Sequence, residues 1–80
     1  MSKRLEQMRV NPKADWTIAD VEALCREHGL ECLRSRAGSS HYKVRDVASG
    51  TTLIVPFKRP IKPVYIRKLV EFVDNARRTR

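Results

Sequence analysis

This chain of 80 residues carries seventeen Lys and Arg against nine Asp and Glu, so it is one small domain whose net charge of +8 suits an anionic partner. No apolar run approaches the ~18 residues of a spanning helix and Met1–Val10 has no apolar signal-peptide core, so a cytoplasmic protein without a membrane partner is expected. Cys25 and Cys32 lack CxxC spacing and companion ligands, and are expected as two small core thiols with no metal or cofactor.

Residues 1–14 carry Lys3, Arg4, Arg9 and Lys13 without a hydrophobic period, and Asn11-Pro12 is a turn signal; a basic, flexible arm is expected, with at most a short helix around Arg4 to Arg9. Thr17-Ile18-Ala19-Asp20 has the Ser/Thr-x-x-acid form that opens a helix. Ile18, Val21, Leu24 and Cys25 then share one helical face, and Trp16 stands where a hydrophobic staple packs on the helix start. Gly29 supplies a left-handed cap, with Leu30 able to fold back on the last turn. His28 falls in that last turn, where a positive charge is favoured by the helix dipole, so a structural role is expected of it.

Leu30 to Arg36 reads as a first strand, Ala37 to Ser40 as a turn, His41 to about Asp46 as a second strand and Thr51 to Phe57 as a third, with Ala48-Ser49-Gly50 as the second turn. Phe57 to Pro63 is a basic loop stiffened by Pro60 and Pro63. From Val64 to about Ala76, Ile66, Leu69, Val70 and Val73 recur at i, i+3, i+4 and i+7, which predicts an amphipathic helix; Arg77 to Arg80 forms a basic tail. The expected fold is α+β in the order α-β-β-β-α: a single domain over residues 15–76, with a three-stranded antiparallel sheet and two helices on one of its faces.

The chemistry concentrates on the second strand. Alternate residues of a strand share a face, so His41, Lys43 and Arg45 are expected on one side and Tyr42, Val44 and Val47 roughly on the other. An unperturbed imidazole, with a pKa of about 6.5, both takes and gives protons near neutrality. Ser39 and Ser40 in the preceding turn, together with Lys43, Arg45, Lys58, Arg59 and Lys62, are suited to phosphate oxygens. A single histidine suits RNA in particular, because RNA brings its own nucleophile, the 2′-hydroxyl, next to the scissile phosphate. Asp15, Asp20, Asp46 and Asp74 are scattered in the sequence and form no carboxylate cluster of the two-metal kind, and no acid stands with Ser39 or Ser40 to complete a serine triad.

Over about Asp15 to Asn75 the chain resembles the HicA family of bacterial toxins. The likeness rests on the helix ending His28-Gly29-Leu30, on Gly38-Ser39-Ser40-His41, on Leu53-Ile54-Val55-Pro56, and on Pro60-Ile61-Lys62-Pro63 leading into Val64-Tyr65-Ile66-Arg67-Lys68-Leu69. The resemblance implies a fold related to the double-stranded RNA-binding domain and metal-independent cleavage of messenger RNA. By its motif it also places the catalytic histidine at His41 and implies a HicB-type acidic antitoxin as partner. Many members carry a second histidine beside the first; here Tyr42 occupies that place. A non-catalytic RNA-binding module of the same fold is the alternative expectation.

Overall fold

The computed structural model describes residues 3–34, 41–56 and 60–78, which form three helices and three strands. These are α1 (Lys3–Val10), α2 (Ile18–Glu27), β1 (Glu31–Arg34), β2 (His41–Asp46), β3 (Thr51–Pro56) and α3 (Pro63–Arg78). The α-β-β-β-α layout predicted from the sequence is therefore present, with α1 added ahead of it.

Each expected end signal acts as the chemistry requires. The Asp20 carboxylate accepts the Thr17 backbone N–H at 2.9 Å and the Thr17 hydroxyl at 3.0 Å, which ties down the first turn of α2. At the other end Gly29 adopts a φ of 67°, and the Leu30 N–H returns to the Cys25 carbonyl at 2.8 Å, burying Leu30 against the helix. Pro63 takes the first position of α3, where its missing N–H costs nothing. The Lys62 carbonyl accepts from Tyr65 at 3.0 Å and Ile66 at 3.3 Å.

The strands form one antiparallel sheet in the order β1-β2-β3. Its inner face, which includes Cys32, Val44, Leu53 and Val55, packs against Val21, Leu24 and Cys25 of α2 and Ile66, Leu69, Val70 and Val73 of α3. Ile61 is also buried there, held by its N–H to the Trp16 carbonyl at 3.0 Å. Trp16 itself packs at the core margin, its indole N–H donating to the Asn11 carbonyl at 2.9 Å.

Three expectations need correction. The first is the flexible arm: Lys3–Val10 is a helix whose Leu5 and Met8 are 1% and 0% exposed within the core. Arg4 pairs with Glu27 and Asp20 of α2, while Arg9 forms a two-pronged bond to Asp74 of α3 at 2.7 and 2.9 Å. A helix of eight residues does not hold alone in water; its docking on α2 and α3 supplies what periodicity did not announce. The second is Val47, which is exposed in the turn after β2, while Asp46 takes the inner position instead. Burial of that charge is offset by the turn it organises. Its carboxylate accepts the Ala48 N–H at 3.2 Å and the Ser49 hydroxyl at 2.9 Å, and its carbonyl accepts the Gly50 N–H at 2.7 Å. The third is the basic tail: α3 continues through Arg77 and Arg78.

Candidate nucleic-acid interface

Strand alternation delivers His41, Lys43 and Arg45 to the side of the sheet away from the helices, and all three side chains are exposed. Tyr42, Val44 and Asp46 point inward. The register fixes their neighbours: His41 faces Pro56, Lys43 stands between Leu33 and Ile54, and Arg45 stands between Glu31 and Thr52. Paired residues share a face, so this is a continuous open surface of three short rows.

At about 3.3–3.4 Å per residue, the histidine and the two cations recur roughly every 6.7 Å along β2. The outer face is uncovered by any described element, and among the described residues the one carboxylate in its rows, Glu31, stands across from Arg45 at the end remote from His41. Arg45 thus has a carboxylate opposite it, while the described partners of Lys43, Leu33 and Ile54, carry no charge.

Lys62 is exposed but lies on the lead-in to α3, off the sheet. Ser39, Ser40, Lys58 and Arg59, expected to share the anion, lie outside the described residues, as does Phe57. His28 sits at the C-terminal cap of α2, separate from the β2 face, with its Nε2 buried. Tyr65 is half-buried at the opening of α3, with the Lys68 ammonium over its ring at 5.8 Å.

What sequence patterning missed is the apolar part of the face. Leu33 and Ile54 are exposed beside Lys43, a relation that requires the strand register and is invisible to alternation within either strand alone.

The neighbouring Cys32 sulfur, with burial, pushes the Cys25 thiol up, and the same neighbour draws Cys32 down. The Arg9 guanidinium holds the Asp74 carboxyl below its ordinary value. Among the described residues no three His, Cys, Asp or Glu side chains come together as metal ligands, and no helix is long and apolar enough to cross a membrane. A groove of about 530 Å³ beside α1, lined by Val10, Ala14 and Trp16 among others, is made of α1 and the segment following it and includes no histidine.

The fold and this face define an α+β domain that presents a histidine-bearing cationic strand on an open sheet. No protein-family model, curated protein or solved structure matches the chain.

Proposed function

We propose that the protein is an endoribonuclease, an mRNA interferase toxin of a toxin–antitoxin pair, with His41 as the acid/base group. The observation that carries this is the exposure of His41, Lys43 and Arg45 together on a sheet face that no described element covers. The motifs shared with the HicA family support the same assignment. Lys43 and Arg45 bind phosphates and place the backbone along β2. His41 takes the proton of a 2′-hydroxyl, or gives one to the departing 5′-oxygen, with water carrying the other proton, while the 2′-oxygen attacks the adjacent phosphorus. The bond to the 5′-oxygen breaks, leaving a 2′,3′-cyclic phosphate and a free 5′-hydroxyl. No metal ion is needed for these steps. An acidic antitoxin of HicB type, covering the cationic face, would hold the activity in check.

Purified protein incubated with RNA in EDTA tests this directly. The expected result is fragments ending in 2′,3′-cyclic phosphate, with cleavage reduced ~10²–10⁴-fold in His41→Ala and the fold unchanged, because the side chain is exposed. Binding without cleavage by the native chain would identify a non-catalytic RNA-binding module instead. Undiminished cleavage by a folded His41→Ala protein would remove His41 from the mechanism.

A further inference from the structure

The open face carries more than cations. Leu33 and Ile54 are the direct partners of Lys43 on either side and remain 46% and 48% exposed. Neighbouring strands lie about 4.8 Å apart, so the two aliphatic side chains flank the lysine in one row across the sheet. Single apolar residues scattered over a surface carry no message. Two of them centred on a cation, in the middle of the face, form a mixed surface whose occupant must satisfy both kinds of group.

A second copy of this chain fails that requirement, since face-to-face pairing sets Lys43 and Arg45 of one copy against those of the other. An apolar protein surface would leave the same two charges desolvated. Nucleic acid meets it: phosphates answer the cations and base faces answer the aliphatic side chains. The strand must be single, because a duplex keeps its base faces stacked inside and shows only edges, sugars and phosphates.

We propose that Leu33 and Ile54 are base-contacting residues and that the face takes single-stranded RNA. The backbone follows β2 over His41, Lys43 and Arg45, and splayed bases lie on the aliphatic side chains to either side. This rests on the assignment of the face to RNA made above, and adds to it strandedness and two contact residues.

The test compares the native chain with a Leu33→Thr/Ile54→Thr variant on three probes. These are a short 2′-O-methyl RNA, which lacks the nucleophile and is not cut, its duplex with a complementary strand, and inorganic polyphosphate, which has charge but no bases. The variant should bind the single strand about fivefold to tenfold more weakly with an unchanged salt slope, because no charge has been removed. Its affinity for duplex and polyphosphate should be unaltered. Ile54→Tyr, which offers a stacking surface at the same position, should bind the single strand more tightly. The proposal is overturned if the double variant loses polyphosphate affinity equally, if its single-strand affinity is unchanged, or if the native chain prefers the duplex. Native protein that binds polyphosphate but neither nucleic acid would point to an acidic protein partner and overturn both this proposal and the RNA assignment; native protein that binds the RNA with no effect of the substitutions overturns this proposal alone.

Discussion

Leu5→Ala is the sharpest probe of how the domain holds together, because it acts on the segment that the sequence presents as a detached arm. Leu5 is 1% exposed and belongs to the same core cluster as Val21, Leu24, Ile66 and Leu69. Removing a buried leucine side chain to alanine costs ~2–5 kcal/mol, and a core of this size rarely supplies more than ~3–5 kcal/mol net. A single substitution on α1 is thus expected to remove most of the stability. At roughly 4–8 °C per kcal/mol, a loss of ~3 kcal/mol lowers Tm by about 12–24 °C. Urea unfolding followed by far-UV circular dichroism measures this, with Val10→Ala as a control, since Val10 lies on the exposed side of the same helix. The cost has a ceiling if α1 undocks by itself. In that case Leu5→Ala and Met8→Ala would each reach the docking energy and the double substitution would cost no more than either, with a reduced urea slope. A Leu5→Ala protein within ~0.5 kcal/mol of the native chain would refute the docked helix altogether.

Asp74→Asn should destabilise the protein by less than ~1 kcal/mol at neutral pH, the scale of a partly exposed ion pair. Since Arg9 depresses the folded carboxyl below 3.8, the pair's contribution is present above that value and lost as pH falls through the lower folded pKa. The gap between native and variant in urea titrations should hold steady above about pH 5 and close below 3.8; a gap undiminished at about pH 2 contradicts the pairing. Asp46→Ala should cost ~1–3 kcal/mol through the Ala48 N–H and Ser49 hydroxyl it leaves behind, and Ser49→Ala clearly less, as compared by thermal melts; equal costs would disprove the carboxylate's organising role. Iodoacetamide should modify the half-exposed Cys32 first and reach the buried Cys25 only on unfolding; mass mapping that finds Cys25 alkylated first in the folded protein would contradict its burial.

The elements legible in the sequence are those whose signals are local. Thr17 and Asp20 open α2, Gly29 closes it, and Ile66, Leu69, Val70 and Val73 write the buried stripe of α3, so each can be read within a window of a few residues. Alternation likewise places His41, Lys43 and Arg45 on one side of β2. The misreadings share a different origin. Leu5 and Met8 are too few to make a period, and α1 is held by their burial against α2 and α3, with Arg4 paired to Glu27 and Arg9 to Asp74 at its rim, all contacts between distant positions. Asp46 displaced Val47 from the inner face because a buried carboxylate is tolerable once turn donors are bonded to it, a gain that hydrophobicity does not register. Leu33 and Ile54 became neighbours of Lys43 only through pairing register.

The bond between Arg9 and Asp74 joins positions 65 apart, and this has a bearing on how the chain folds as it is made. At ~5–20 residues per second, roughly 3–13 s separate their synthesis. For that interval Leu5 and Met8 have no α3 to bury against, and an eight-residue helix does not persist in water unaided. The hairpin pairings of β1, β2 and β3 are close in sequence and can form first. Closure of the core waits until α3 has left the ribosome, so over that interval Leu5 and Met8 are apolar side chains without their α3 partners.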